Sequence, residues 1–304
     1  MAVYDCFPFF NENDLLELRL NQHWDYVDKF IIVEAGETHT GLKKKFNFDH
    51  DRFKKYNSKI IYKKFNGFQE ELNKFPWLLD DYAKLDRSRF GQYTDDWARD
   101  HFQGNYAIKV LLDIGAKDND IVYISSIDEI LNEKGFKKGL EMFSNSDMFL
   151  LKQGMHTQVT DPDGNNIYIR PTFGFSLDLY VYKFNLFCKS MPVAQMTEFS
   201  VIKNIFPSTM RSLSFCTHDN IPNAGWHFTY LDDTEGEKVL LKQKSWAHSR
   251  DFVPDQQTKF NISSTEEALE RMFLDYETKK VDITRETHPK YLIDNLEKYK
   301  NYVM

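Results

Sequence analysis

Loop-punctuating residues are scarce in this chain. Its 13 glycines and 9 prolines among 304 residues argue against a loop-dominated or low-complexity protein. Cysteine is scarcer still: Cys6, Cys188 and Cys216 form an odd, widely spaced set with no Cys-x-x-Cys pair. That pattern speaks against a disulfide framework and against a zinc site, and it fits a reducing compartment. No apolar run approaches the length that crosses a bilayer. The amino terminus runs from Met1-Ala2-Val3-Tyr4 directly into fold-like sequence, without a basic region followed by a long apolar one. A soluble, cytoplasmic protein is the expectation, with attachment to a membrane surface through an amphipathic helix left open. Positive charge is in deficit, with 39 Lys and Arg against 46 Asp and Glu and a net charge of −7. A dedicated nucleic-acid binder needs the opposite balance. The local runs Lys43-Lys44-Lys45 and Lys54-Lys55 read as solvated faces or as groups that steer an anionic donor.

Aromatic and apolar residues are abundant. A hydrophobic fraction of 41%, with 26 Phe and 16 Tyr, supplies a large core and rings that could stack on sugars or bases. The length fits one α/β domain with elaborations. Val3 to Phe10 reads as a first strand, followed by a helix from Asn13 whose apolar residues recur at helical spacing behind an Asn/Asp cap. Lys29 to Val33 and Lys59 to Lys63 read as further strands, and Asp95 to about Gly115 as a helix. The polar, aromatic segment from Asn66 to Phe90 has no clean period and suits a substrate-side loop. Phe149-Leu150-Leu151 and Ile167-Tyr168-Ile169 read as later strands around an Asp161-Pro162-Asp163-Gly164 turn, suggesting a hairpin. Trp226 to Leu231 reads as a strand, Thr234 to Trp246 as a helix, and the chain from Ile262 onward as peripheral helices. No internal repeat or interdomain linker is visible.

The most informative stretch runs from Asp120 through Ile121-Val122-Tyr123-Ile124-Ser125-Ser126-Ile127 to Asp128-Glu129-Ile130. A β-branched, apolar run suits an interior strand of a parallel sheet, and open α/β sheets bind ligands beyond the carboxyl ends of such strands. Asp128 and Glu129 would then meet a hard cation, Mg²⁺ or Mn²⁺, whose other positions are filled by diphosphate oxygens and water. Acids at a strand end also occur in solvated loops and at helix N-termini.

Several segments resemble glycosyltransferase family 17, the family that includes the enzymes adding bisecting β-1,4-N-acetylglucosamine. They are Asp5 to Asn21 with Val27 to Ala35, Thr38-His39-Thr40-Gly41, Trp97-Ala98-Arg99-Asp100 with Gln103 and Asn105, Asp120 to Ile130, Ala224 to Phe228, and Lys244-Ser245-Trp246-Ala247-His248. Together they span roughly the first 250 residues in collinear order. The resemblance implies a GT-A type, Rossmann-like nucleotide-sugar-binding fold over residues 1–250, with residues 251–304 as a helical extension packed on the same domain. It implies an inverting transferase that moves a sugar, most simply N-acetylglucosamine, from a UDP-sugar to a hydroxyl of a glycan or glycolipid, usually with Mn²⁺ or Mg²⁺. The setting would be the cytoplasm of a bacterium or of a virus-infected host cell. Another UDP-hexose or pentose as donor, or a non-catalytic nucleotide-sugar or glycan-binding relative, are the alternatives.

Site expectations follow from the same resemblance. The family usually has Ser-Asp-x-Asp-Glu where this chain has Ser125-Ser126-Ile127-Asp128-Glu129, so Ser126 replaces the first Asp. Asp128 keeps the metal role, and Ser126 can hydrogen-bond a ribose hydroxyl. Phe9, Asn11, Glu34, Arg99, Ser126 and Asp128 are expected at the donor, Glu34 on the ribose or uracil and Arg99 on the diphosphate. Arg99 could equally be a structural salt bridge and Glu34 a solvated strand end. Trp226 and His227 are expected at the acceptor, Trp226 as a sugar platform or as core. Glu235, Asp233 and Asp232, in that order, are candidates for the general base, although acids there also cap helices. His248 is expected to complete the metal site, with His227 as the alternative and a packed structural role as the competing reading.

Overall fold

Strands buried on both faces decide the layering of this protein. The computed structural model describes residues 1–79, 95–144, 157–160, 166–169, 173–213, 220–250 and 263–304. Its strands are β1 (Val3–Phe9), β2 (Lys29–Ala35), β3 (Ile60–Phe65), β4 (Ile121–Ile124), β5 (Glu129–Leu131), β6 (Thr157–Thr160), β7 (Asn166–Ile169), β8 (Phe173–Val181), β9 (Leu186–Glu198), β10 (Asn220–Ile221), β11 (Gly225–Thr229) and β12 (Lys279–Lys280). Its helices are α1 (Asn13–His23), α2 (Phe68–Lys74), α3 (Asp95–Asp113), α4 (Glu133–Ser144), α5 (Phe199–Ile202), α6 (Pro207–Leu213), α7 (Glu237–Ser245), α8 (Thr265–Asp275) and α9 (Lys290–Asp294).

The main sheet runs β3-β2-β1-β4-β9-β8-β11-β5, with β10 on β8 and β12 on β9. β3, β2, β1 and β4 are mutually parallel. β9 is antiparallel to both β4 and β8, β11 is parallel to β8, and β5 closes the far side antiparallel to β11. Alternation sends Phe7, Phe9, Phe30, Ile32, Ile121 and Tyr123 to one face, where Leu16 and Leu20 of α1 cover them. Tyr4, Cys6, Ile31, Val33, Val122 and Ile124 go to the other, under Phe102, Ala107, Val110 and Leu111 of α3. Apolar residues on both faces explain why these strands read as continuous runs. The βαβ start read from the sequence is present, and among the described residues no helix is long and apolar enough to cross a membrane.

The structure corrects several boundaries. The stretch from Asp120 to Ile130 is two strands, β4 and β5, separated by a turn at Ser125 to Asp128. The long pair β8 and β9, which was not foreseen, occupies the middle of the sheet; its register shifts between Phe175 and Ser176, close to where Pro192 interrupts the partner strand. A hairpin is present at the expected second strand, but β7 pairs with β6 (Thr157–Thr160), which was not foreseen; Phe149 to Leu151 and the Asp161 to Gly164 turn lie outside the described residues. Residues 80–90 of the expected substrate-side loop lie outside them as well.

Residues 263–304 lie against the preceding chain. Leu292, Tyr299 and Tyr302 pack with Leu15, Leu18 and Phe228, and Ala268 and Met272 of α8 pack on Val239 of α7. The polar fastening is Glu17 on α1, whose carboxylate accepts from Tyr291 (2.7 Å) and Arg52 (2.7 Å) and pairs with Lys298 (2.6 Å). Burial works against this carboxylate, but the bonds from Lys298, Tyr291 and Arg52 prevail and bring its pKa from 4.5 to about 2. A folded-state pKa below the unfolded one stabilises the fold fully above about pH 4.5, and that contribution disappears as the pH falls toward 2. Glu17→Gln should therefore lower the thermal midpoint at pH 7, and the gap to wild type should close progressively below pH 4.5. A gap independent of pH in a calorimetric series would contradict this account.

Candidate functional site

The Ser125 to Leu131 segment curls around one buried cation. Arg19, fully buried on α1, donates from Nη1 to the carbonyls of Ser126 (2.6 Å), Ile127 (3.2 Å) and Glu129 (2.9 Å), and from Nη2 to the Ser125 hydroxyl (2.5 Å). Its Nε and Nη2 also donate to the two oxygens of Asp5 on β1, at 2.9 and 2.5 Å. His23 is neutral: its Nε2 accepts from the Leu131 amide (2.9 Å), which leaves the proton on Nδ1, facing Asp5 at 2.8 Å. Burial lowers the His23 pKa against the pull of Asp5, and Arg19 with His23 overcomes burial to hold the Asp5 carboxyl below its ordinary value.

The turn so formed presents two adjacent carboxylates with different partners. Glu129 is committed: Arg211 of α6 grips both of its oxygens at 2.7 and 2.9 Å, and the Ser126 amide donates to one of them at 2.6 Å. Asp128, 5% exposed, pairs through Oδ2 with Lys242 Nζ of α7 at 3.1 Å and lies 3.6 Å from His227 Nε2. Its Oδ1 is buried without a hydrogen-bond partner among the described residues. Burial opposes ionisation, yet Lys242 and then His227 hold Asp128 well below the ordinary carboxylate range. Lys242 also donates to Thr229 Oγ1 at 3.1 Å, and its ammonium lies over the rings of Tyr230 and Trp246. Burial would discharge it, but Asp128 and Glu12 raise its pKa.

Strand alternation explains the assignment of the β11 residues. Trp226 and Phe228 point into the core with the C-terminal segment, and Trp226 Nε1 donates to the Thr287 carbonyl at 2.7 Å. His227 and Thr229, one residue out of phase, face Asp128 and Lys242. Gly225 has φ +154°, and a Cβ there would lie 2.1 Å from the Ile130 carbonyl, so β5 approaches β11 only because this residue is glycine.

The remaining expected residues take up distinct places. Phe9 is buried edge-on to Phe48, and Asn11 is half-buried at the carboxyl end of β1. Glu34 is satisfied within the protein, accepting from Lys44 (2.5 Å), Tyr62 (2.8 Å) and the amides of Asn47 and Phe48. Arg99 donates to the His39 carbonyl (3.1 Å) and to Asp96 (3.3 Å), one turn earlier on the same helix. Asp232 caps its own turn, accepting from the Thr234 and Gly236 amides, while Asp233 pairs with Lys238 at 2.6 Å. Glu235 is exposed, with φ +53°. His248 sits between the rings of Trp97 and Trp246, with centroids at 4.4 and 4.6 Å. Among the described residues it is His227, not His248, that joins Asp128 and Glu129 in a group whose ligand atoms lie within 4.8 Å of one another.

Glu12, Lys242 and Arg211 were missed by sequence reasoning. Glu12 follows β1 and accepts from the Phe10 and Asn11 amides; burial, assisted by Asp128, raises its pKa against Asn11 and Lys242. The sequence offered one signal: Glu12 lies in the first loop after a buried parallel strand. The quoted motifs do much of the scaffolding. Thr40 Oγ1 donates to the Lys244 carbonyl, tying down the helix that carries Lys242, and Asn105 Oδ1 accepts from the Ser208 amide at the start of the helix that carries Arg211.

The family model for glycosyltransferase family 17 matches residues 1–159. The chain belongs to glycosyltransferase family 17, as the motifs implied, and is a glycosyltransferase. The match takes in β1 to β5 and the Asp128 turn and ends within β6; it stops before Ala224 to Phe228 and Lys244 to His248, and so covers less than the roughly 250 residues of resemblance. No curated protein matches the chain.

Two substitutions test this construction. Arg19→Met leaves Asp5 buried without its cation, and a loss of about 3–5 kcal/mol in denaturant unfolding is expected. Gly225→Ala forces β5 from β11 and should cost about 1–3 kcal/mol; unchanged unfolding midpoints in either variant would refute the packing described.

Proposed function

We propose that the protein is an inverting, GT-A type transferase that moves a sugar, most simply N-acetylglucosamine, from UDP to a hydroxyl of a glycan or glycolipid. The observation that carries this reading is Asp128: a buried, ionised carboxylate with one uncommitted oxygen, beside an ammonium, in the turn that follows parallel strand β4. The carboxyl end of a parallel strand is where open α/β sheets bind ligands. Family membership supplies the reaction class. A cytoplasmic setting, a polysaccharide or lipid-linked acceptor and the absence of a nucleic-acid partner belong to the same proposal.

In the reaction a base takes the acceptor hydroxyl proton, and that oxygen bonds to the anomeric carbon from the face opposite UDP. The bond from that carbon to the diphosphate oxygen breaks, and its electron pair leaves with UDP. Asp128 Oδ1 is suited to accept from a donor hydroxyl, with Ser126 beside it as a second polar partner. The base belongs to the 232–235 turn, with Glu235 first, because Asp232 is used in capping and Asp233 is paired.

Charge must also be supplied to the leaving diphosphate. By spacing, Asp128, Glu129 and His227 could hold Mn²⁺ or Mg²⁺, the ions the family resemblance implies. The donor set does not fit a hard divalent ion: Glu129 is spent on Arg211, Oδ2 of Asp128 faces Lys242, and Ser126 stands where a second carboxylate is usual. No step is therefore assigned to a metal.

Asp128→Asn is expected to lower the transfer rate about 100-fold or more, in the range of removing one preorganised electrostatic group. NMR of the product from an α-linked UDP-sugar should show a β linkage. Full activity in the variant, or an α product, would overturn the reading. A glycan-binding relative without turnover, suggested by Ser126, would instead bind glycans and release no UDP.

A further inference from the structure

Lys242 occupies the position that a bridging cation would take. Its ammonium has three N–H donors: one points at Asp128 Oδ2 and one at Thr229 Oγ1, both at 3.1 Å. No third acceptor is present among the described residues. The side chain as a whole keeps 27% of its surface exposed. Around it the charges already balance, since Asp128 faces Lys242 and Glu129 faces Arg211. A divalent ion added at Asp128 would sit against the ammonium with one free carboxylate oxygen to hold it.

Resting on the donor reading above, we infer that Lys242 itself neutralises the diphosphate of the nucleotide donor, and that donor binding is independent of divalent metal. The ammonium bridges Asp128 and the diphosphate through its three donors, and Thr229 fixes its direction. Nζ also lies over the rings of Tyr230 and Trp246, 5.1 and 5.8 Å from their centroids. Asp128 acts here as the group that aims the ammonium, and its free oxygen stays available to a donor hydroxyl.

The test is calorimetric titration with UDP, in Mn²⁺ and again in chelator, for wild type, Lys242→Met and Lys242→Arg. Wild-type affinity should change less than about twofold between the two conditions, while Lys242→Met should bind at least about tenfold more weakly in both, the loss expected for one charge-assisted hydrogen bond. Lys242→Arg should restore most of that loss. Thermal unfolding of each variant guards against a folding defect, and if Lys242→Met fails to fold, the wild-type and arginine arms still decide. UDP binding that requires Mn²⁺ and survives Lys242→Met would overturn the inference and leave the transferase reading standing. Absence of UDP binding in every condition would remove both.

Discussion

The site depends on a single buried ion pair, Asp5 with Arg19. The strand β1 delivers Asp5 into the interface with α1, where no water can share its charge, and Arg19 answers it with two short bonds. A buried pair of this kind gives little net stability compared with apolar residues of the same volume. What an apolar residue could not do is collect the carbonyls of Ser126, Ile127 and Glu129 and the hydroxyl of Ser125 onto one planar group. That collection ends β4 at Ile124, turns the chain, and sends β5 away to pair with β11. His23, held neutral between Asp5 and the Leu131 amide, fixes the end of the same turn without adding a second buried charge.

The consequence is a division of labour between neighbouring carboxylates. Glu129 begins β5 and turns its side chain to Arg211, so its charge is spent on joining α6 to the turn. Asp128, one residue earlier, meets Lys242 and His227 and keeps an oxygen unpaired. A buried carboxylate oxygen without a partner costs free energy. The cost is understandable if a ligand hydroxyl completes the shell.

Much of the fold was legible because it rests on short-range patterns. β1, β2, β3, α1 and α3 follow from buried runs and helical spacing, and the placement of Asp128 beyond a parallel strand follows from where such a strand must end. The division of Asp120 to Ile130 was not legible, since the cation that bends it lies more than a hundred residues earlier, on α1, where Arg19 looked like one more polar residue in a helical repeat. β8 and β9 were hidden by polar residues such as Asp178 and Ser190, which pair with each other across the strands, and by Pro192. Lys242 and Arg211 had no local signature at all. In a chain with 39 Lys and Arg, these two are distinguished only by which carboxylate they reach.

The matched part of the chain and the part beyond it meet at this group. Residues 1–159 bring the acid turn, while His227, Arg211 and Lys242 come from later elements. The join is the antiparallel pairing of β5 with β11, in which His227 stands opposite Glu129 and Gly225 lets the backbones close. Motif residues in the first part also brace the second: Thr40 holds the Lys244 carbonyl, Trp97 packs edge-on to His248, and Asn105 anchors the start of α6. Thr40 and Asn105 thus act at a distance from Asp128, fixing the helices that carry Lys242 and Arg211. With Ser126 bringing no carboxylate to the turn, the ammonium of Lys242 faces the one that Asp128 supplies, and the two charges hold each other in place.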